Sequence, residues 1–358
     1  MTLDIPAYRL HNQFLSQTEF TEPGPVVAAL GAVQSQDYAG GKWGLGLRMQ
    51  AATDAALDQA FNEGRILRTH ILRPTWHFVT PQDIRWFLAL SAPRVHTANG
   101  FMYRQQGLDG ASIKKSYAVL EKVLQGGKSL IRSELGAALE KAGIKKAEGI
   151  RLGYFIMSAE LDAILCSGPR RGKQFTYALL EERAARVRAL ERDEALAELT
   201  RRYFATRGPA TLHDFTWWSG LTMADAKDGI DAVKSEFVNE VIDGKTYWFD
   251  SSATPVKEKS PTAHLLPNYD EYFIGFKDRS AIGEVAKQAN IKANDPSFLA
   301  HVIILDGQVV GGWKRAIKKD KALVEFSPIV ELTKGQERAV EEAASHYGEF
   351  LQLAVERV

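Results

Sequence analysis

The order in which helices and strands are predicted to follow one another constrains the fold of this chain more than any other feature. From residue 208 the sequence GPATLHDFTWWSGLTMADAKDGIDAV predicts a short helix capped by Thr211, a break at Gly220 and a second helix from Thr222, which is helix-turn-helix spacing. FVNEVIDGKTYWFD follows, and Asp243-Gly244 between alternating apolar residues is the strongest short signal for a hairpin. A helix-turn-helix that ends in a hairpin is a winged helix.

An earlier segment of the chain predicts a related order that ends in a basic pair of strands. Short helices are expected over residues 6–17 and 25–33, followed by a glycine-rich loop, a turn and a strand, and then a helix over residues 54–63. RILRTHILRPTWHFV predicts two strands broken at Arg73-Pro74, and Thr80 is placed to cap the helix after them. We interpret this segment as a first winged helix.

The segment between these two predicts helices and a hairpin once more. One helix begins near Ser112, SLIRSELGAALEKAGI supplies a second helix, and a third is expected over residues 149–164. CSGPRRGKQFTYALL then predicts a basic hairpin that is interrupted by glycine and proline. Because the same order recurs, it carries more weight than any single copy.

The last hundred residues have a different texture. HVIILDGQVVGGWKR predicts an Asp-Gly hairpin, ALVEFSPIV a further strand, and residues 336–356 a closing amphipathic helix. The predicted fold class is therefore α+β, with three tandem winged-helix units followed by a bracing α+β region, over residues 1–110, 111–190, 191–260 and 261–358.

The composition argues against a membrane protein, a secreted protein and a protein held together by disulfides or metal. No stretch approaches the roughly 18 apolar residues of a membrane span, and the first residues do not resemble a signal peptide, so we expect a cytoplasmic protein without a membrane partner. We also expect the protein to be a monomer. Cys166 is the only cysteine and no Cys/His cluster has zinc spacing, so neither a disulfide, a metal nor another cofactor is expected.

Basic residues are clustered although the formal net charge is only +1. A surface that binds a polyanion depends on such local clusters and not on the total charge. One cluster extends from Arg65 to Gln82 without an acidic residue, another contains Arg170, Arg171 and Lys173, and a third contains Lys314, Arg315, Lys318 and Lys319. Winged helices with basic hairpins point to duplex DNA as the partner, although each cluster taken singly could be a solvated face.

Four segments resemble one known family. GAVQSQDYAG, LRPTWHFVTPQDIRW, GPATLHDFTWWSGL, and LLPNYDEYFIGFKDRS with LDGQVVGGWKR occur in the order found in the AlkZ-like DNA glycosylases. The resemblance implies three winged helices around a channel of DNA size. It also implies hydrolysis of the N-glycosidic bond of alkylated purines in duplex DNA, including bulky or crosslinked ones.

The family's catalytic motif is Gln-aliphatic-Gln, or a variant with histidine first, and Gln34-Ser35-Gln36 matches it except at the middle position. The resemblance thus implies that Gln34 and Gln36 are catalytic. Two residues that are two apart share a side only in an extended segment, so we expect the motif just beyond the helix that ends near Val33. Asp37 is the adjacent carboxylate, and we favour a helix-capping or turn role for it.

Several basic and aromatic residues are predicted to contact DNA: Lys42, Trp43, Arg48, Arg68, Arg73, His77, Arg170, Arg171 and Lys173. Some of these predictions have plain structural alternatives. His77 could equally be a hydrogen-bonded core histidine. Trp217 and Trp218 could stack on bases but suit a core position better, and Asp270 with Glu271 suits a structural network better than a metal site.

The predicted function is a monofunctional DNA glycosylase, that is, a hydrolase of N-glycosyl bonds. The alternative is a non-catalytic winged-helix regulator, which would discriminate a defined sequence by roughly 10³ or more over random DNA. A family member that has lost activity and only shields DNA is a third possibility, which rests on Ser35.

Overall fold

A computed structural model of the protein describes residues 3–255, 260–291 and 301–358. Its helices are α1 (Ile5–Asn12), α2 (Pro23–Leu30), α3 (Tyr38–Gly46), α4 (Asp54–Glu63), α5 (Ile84–Gln105), α6 (Gly110–Leu124), α7 (Arg132–Lys141), α8 (Gly149–Leu161), α9 (Leu180–Arg183), α10 (Arg192–Arg207), α11 (Leu212–Ser219), α12 (Met223–Val233), α13 (Glu271–Ile274), α14 (Glu284–Gln288) and α15 (Lys334–Leu351). Its strands are β1 (Val33–Gln34), β2 (Leu67–Ile71), β3 (Thr75–Val79), β4 (Leu130–Ile131), β5 (Leu165–Ser167), β6 (Thr176–Leu179), β7 (Val238–Ile242), β8 (Lys245–Phe249), β9 (Ala263–Leu266), β10 (His301–Leu305), β11 (Gln308–Ile317), β12 (Lys321–Pro328) and β13 (Ala354–Arg357).

The chain forms two compact units, and the fold class is α+β. Unit 1 contains the described parts of residues 1–58, 197–218 and 222–358, and unit 2 contains residues 59–196 and 219–221.

The predicted helix-turn-helix and its hairpin are both present. Helix α11 ends before Gly220, whose φ of +72° turns the chain, and Thr222 caps α12 by accepting a hydrogen bond from the Asp225 N–H. Strands β7 and β8 then pair around Asp243 and Gly244, which both have positive φ, as a tight two-residue hairpin turn requires.

Unit 2 contains the predicted helices and hairpin of the second copy. Helices α6, α7 and α8 are followed by β5 and β6, and β4 pairs with β6 to complete a three-stranded antiparallel sheet. Leu120, Leu135, Leu139 and Phe155 are fully buried in the core that these elements share. The earlier basic hairpin is present as well, with β2 and β3 paired from Leu67 opposite Val79 to Ile71 opposite Thr75.

The glycine-rich stretch differs from its prediction. Instead of a loop it forms the helix α3, and the residues between α3 and α4 form turns without the expected strand. Asp37 caps α3 by accepting a hydrogen bond from the Gly40 N–H at 3.0 Å. A Cβ atom at Gly46 would lie 2.8 Å from the Phe350 ring, so this glycine permits close packing of the helix rather than flexibility.

Two predicted helix bounds also change. Helix α5 begins at Ile84 rather than at Pro81. Residues 81–83 form a turn in which the Thr80 hydroxyl accepts a hydrogen bond from the Asp83 N–H at 3.2 Å and donates one to the Asp83 carboxylate at 2.7 Å. The closing helix α15 ends at Leu351, since Gln352 adopts a left-handed conformation with φ +56°. The chain then returns as β13, which pairs parallel to β12.

The C-terminal region of unit 1 is a five-stranded sheet in the order β13, β12, β11, β10, β9. Apart from the β12–β13 pair, neighbouring strands are antiparallel, and the predicted Asp-Gly hairpin joins β10 to β11. Helix α15 packs against this sheet and contributes Tyr347 and Phe350 to the core.

Candidate active site

The Gln-Ser-Gln motif follows the end of α2. Gly31 leaves the helix with φ +79°, and Gln34 lies in the short strand β1, which confirms that the motif stands beyond the helix. Gln34 is 6% exposed and Ser35 is fully buried, whereas Gln36 is exposed. The middle position of the motif therefore packs inside the protein, where this chain has a smaller and more polar side chain than the family pattern.

A buried carboxylate holds the backbone of the motif. Glu271 accepts a hydrogen bond from the Gln34 N–H at 2.8 Å through Oε1. Its other oxygen, Oε2, accepts hydrogen bonds from Arg207 Nη2 at 2.7 Å and from Trp218 Nε1 at 2.9 Å. Both oxygens of this carboxylate are thus used.

Arg207 holds the chain that leads into the motif. Its guanidinium donates to the carbonyl oxygen of Leu30 at 2.9 Å and to that of Ala32 at 3.2 Å. The side chains of Arg207 and Glu271 are both 0% exposed, and the guanidinium lies 4.3 Å from the Trp218 ring centroid. One ion pair therefore satisfies three backbone groups between the end of α2 and Gln34.

The side-chain oxygen of Gln34 differs from these backbone groups in its hydrogen bonding. Gln34 Oε1 is buried and has no hydrogen-bond partner among the residues that the structure describes. Buried polar atoms are nearly always paired, and an exception in a native fold calls for an explanation such as a catalytic role.

Asp37 fixes the other end of the motif. Its Oδ1 accepts the capping hydrogen bond of α3, and its Oδ2 accepts a hydrogen bond from Arg315 Nη2 at 3.1 Å. Arg315 also donates to the Tyr347 hydroxyl at 2.9 Å. The expected capping role of Asp37 is confirmed.

Three residues predicted to contact DNA are buried in unit 1. Trp43 is 0% exposed, and its Nε1 donates to the Leu265 carbonyl at 2.7 Å. Lys42 forms ion pairs with Asp54 at 2.7 Å and Asp58 at 3.0 Å, and Arg48 forms a bidentate pair with Asp270. Because Lys42 and Trp43 lie in a packed helix and Arg48 is buried in the turn after it, we leave these three residues out of the DNA interface.

The basic strand pair of unit 2 is largely inward-facing too. Arg68 is 6% exposed, and its guanidinium lies 4.1 Å from the Trp76 ring centroid. His77 is fully buried, with Nδ1 2.9 Å from the Thr75 carbonyl oxygen, as in the alternative of a hydrogen-bonded core histidine. Arg73 lies in the turn between the strands and is half-buried.

The basic hairpin between β5 and β6 presents its charges outward. Arg171 and Lys173 are exposed on either side of Gly172, which has φ +61°, and Arg170 is half-buried. Arg171 also forms an ion pair with Glu134 at 2.7 Å, with the arginine side chain 53% exposed.

The remaining alternatives are also decided by burial and by ion pairing. Trp218 is fully buried, as its core interpretation requires, whereas Trp217 is 41% exposed. Asp270 and Glu271 each hold an arginine, so the predicted structural network is confirmed. Sequence reasoning did not find Arg207. The only local signal was an arginine in the last turn of α10, before Gly-Pro.

Burial shifts the pKa values of ionisable groups in both units. The pKa of His264 in β9 is lowered to about 4, mainly because the charged form loses its hydration, with nearby Arg48 adding to the effect. In unit 2, burial raises the pKa of Glu160, although His70 Nδ1 lies 2.6 Å from its Oε2 and opposes the shift.

Comparison with known proteins defines the class of the chain. Residues 27–350 match the family model described as DNA glycosylase AlkZ-like. The protein is therefore an enzyme, a DNA glycosylase that hydrolyses N-glycosyl bonds. It belongs to the AlkZ-like family, and the match covers most of the sequence.

A relative in sequence and a solved structure, both from Streptomyces sahachiroi, are similar over almost the whole chain. The interstrand DNA cross-link repair glycosylase of Streptomyces sahachiroi is 24% identical over 352 residues, which cover 95% of this chain and 94% of that protein. The solved structure of the Streptomyces sahachiroi DNA glycosylase AlkZ has a TM-score of 0.80 at 22% identity and covers 99% of this chain and 98% of its own. This likeness establishes the fold. None of the described helices combines the length and apolar content that crossing a bilayer requires.

Proposed function

We propose that this enzyme is a monofunctional glycosylase that removes N7- or N3-alkylated purines, including bulky and crosslinked ones, from duplex DNA. Gln34 and Gln36 carry the reaction in this proposal. The observation that supports it most directly is the buried Gln34 Oε1 without a hydrogen-bond partner in the described chain, within a backbone held by Glu271.

The chemistry of the substrate explains why two amides suffice. An N7- or N3-alkylated purine carries a positive charge, so it leaves as a neutral base without a strong general acid. As the bond stretches, the sugar becomes oxocarbenium-like and needs a positioned water and nearby oxygen dipoles. A glutamine carbonyl accepts a hydrogen bond from such a water and presents its negative end to the sugar.

The free acceptor of Gln34 fits this task. Leaving a buried acceptor unsatisfied costs about 1–3 kcal/mol, and a water or a substrate hydroxyl would recover that free energy on binding. Gln36 is exposed and accessible to DNA. Neither residue carries charge, so we expect their contribution to lie in the chemical step and not in affinity.

The exposed hairpin of unit 2 is the proposed DNA contact. Arg171 and Lys173, with Arg170 beside them, suit the phosphate backbone, which positions a protein without reading sequence. Such contacts give affinity that falls steeply with salt. Arg73, half-buried in the β2–β3 turn, is a further candidate.

The name of the Streptomyces relative, an interstrand cross-link repair glycosylase, supports bulky and crosslinked adducts as substrates. Ser35 is relevant to which of these adducts the enzyme prefers, because it fills its buried position with less volume than an aliphatic residue.

A base-release assay tests the proposal. Duplexes carrying small N7-alkylguanine, a bulky adduct and a crosslink are incubated with purified enzyme. Free base and alkali-labile abasic sites are then measured in each sample. We expect release without strand cleavage before alkali treatment. Absence of release from all three duplexes would refute the proposal.

A further inference from the structure

The buried Arg207–Glu271 pair is placed to do more than stabilise unit 1. Two buried ion pairs lie at the start of α13 among the described residues. Glu271, the first residue of the helix, pairs with Arg207, and Asp270, which caps the helix, pairs with Arg48. All four side chains are almost fully buried. The two acidic residues are neighbours in sequence. They differ in what else they hold, since Glu271 accepts the Gln34 N–H, whereas Asp270 accepts the Tyr272 N–H.

The segment that Arg207 and Glu271 hold lies beyond the end of helix α2. After Gly31 the chain is no longer helical, so its carbonyl and N–H groups need partners outside α2. Arg207 supplies donors for the carbonyls of Leu30 and Ala32, and Glu271 supplies the acceptor for Gln34. Contacts therefore fall on alternate residues of the five-residue segment 30–34.

An ion pair is a costly way to fill such a position. Burying two charges removes much of their hydration, and well-packed apolar residues of similar volume are often equally stabilising. A charged pair gives fixed hydrogen-bond directions that apolar packing does not supply. This directional role accounts for the pair at this position.

The orientation of the Gln34 carboxamide depends on the position of its backbone. Its Oε1 has no partner in the described residues, so no hydrogen bond through that oxygen orients the carboxamide before substrate binds. A displacement of the Gln34 backbone would thus move Oε1 directly, and a misplacement of about 1 Å can cost about 100-fold in rate.

We infer that Glu271, supported by Arg207, is a positioning residue for the glycosylase reaction and acts through the backbone of Gln34. This inference rests on the proposed function, in which Gln34 is catalytic. Neither Glu271 nor Arg207 touches the reacting atoms in this account.

The test compares Glu271→Gln with Asp270→Asn, which is matched in burial, chemistry and place in the chain. Single-turnover base release, affinity for the lesion duplex and thermal stability are measured at a temperature where each variant is folded. We expect both variants to lose stability and to keep their Kd within about twofold. Only Glu271→Gln should slow base release, by about 10- to 100-fold. Equal rates in the two variants would overturn the inference.

Two further measurements keep the test decisive. If Glu271→Gln does not fold, the double variant Arg207→Met/Glu271→Met removes both charges together, and release at the wild-type rate would overturn the inference. In a Gln34→Ala background, the Glu271 change should slow release no further, because its effect passes through Gln34. An additional loss there would also overturn it.

Failure of this inference is distinguishable from failure of the proposed function. If Gln34→Ala itself releases base at the wild-type rate, the catalytic assignment fails whatever Glu271 does. If Gln34→Ala is inactive while Glu271→Gln retains the full rate, only the positioning role fails.

Discussion

Residues 37–48 and residues 168–175 resemble each other in sequence, since both combine glycine, basic and aromatic residues, and they differ in structure. In the first segment the glycines let α3 pack closely, so Lys42 and Trp43 are buried. In the second, Gly172 turns a hairpin whose Lys173 is exposed. The comparison teaches that a basic residue near glycine stays exposed only when the segment does not fold as a packed helix.

The largest effect should come from the buried aromatic residue of the first segment. Trp43→Ala removes a side chain that packs edge-to-face on Tyr347 at 5.0 Å and donates to Leu265. We expect the free energy of unfolding to fall by about 3–5 kcal/mol in urea denaturation. A loss below about 1 kcal/mol would mean that Trp43 is not a core residue.

Acid should destabilise the interior of unit 1 through His264. Its pKa is about 4 in the folded protein and 6.5 in an unfolded chain, so the unfolded state binds the proton first as the pH falls. Stability should therefore decline between pH 6.5 and 4, with a contribution from His264 of about 3 kcal/mol.

The measurement is urea denaturation across that pH range for the wild type and His264→Gln. His301, whose pKa is also lowered to about 4, titrates in the same window, so the difference between the two curves isolates His264. Parallel curves would contradict this account of His264.

The same substitution in the two segments tests the comparison directly. Lys42→Gln leaves Asp54 and Asp58 without their cation, and because both carboxylates are partly exposed we expect a loss of about 1–2 kcal/mol. The salt dependence of DNA binding should not change. A shallower salt slope for Lys42→Gln would show that Lys42 does meet DNA.

Lys173→Gln should have the smallest effect on stability, within about 0.5 kcal/mol, because Lys173 is exposed at the hairpin tip. Its effect should appear in DNA binding instead. Titrations at several salt concentrations should give a slope that is shallower by about one unit for any duplex sequence. An unchanged slope would remove the hairpin tip from the proposed interface.

Local sequence patterns were sufficient for the repeated elements. Asp243-Gly244 and Thr222 act through neighbouring residues only, so their turn and cap follow from short segments. The helix α3 was missed because its glycines pack against residues distant in sequence, as Gly46 does against Phe350. Arg207 was missed for the same reason, since its contacts to Leu30 and Ala32 join residues about 175 positions apart.

The candidate site was likewise predicted only in part. The Gln34-Ser35-Gln36 motif was found through its family pattern, and its place beyond α2, with Gln34 in β1, agrees with the expectation from the spacing. Burial of Arg48 and Arg68 depends on the partners Asp270 and Trp76, which periodicity does not identify for a charged side chain. For that reason Arg48 and Arg68 were predicted as DNA contacts although both are buried.

Single-turnover base release by Gln34→Ala tests the central claim most directly. The substrate is duplex DNA with one N7-alkylguanine, and Gln36→Ala and the wild type are measured beside it, together with the Kd of each protein for the same duplex. We predict that both variants lose base release by at least about 100-fold while their Kd changes less than about threefold, because the amides act on the transition state. Release by Gln34→Ala at the wild-type rate would contradict the account.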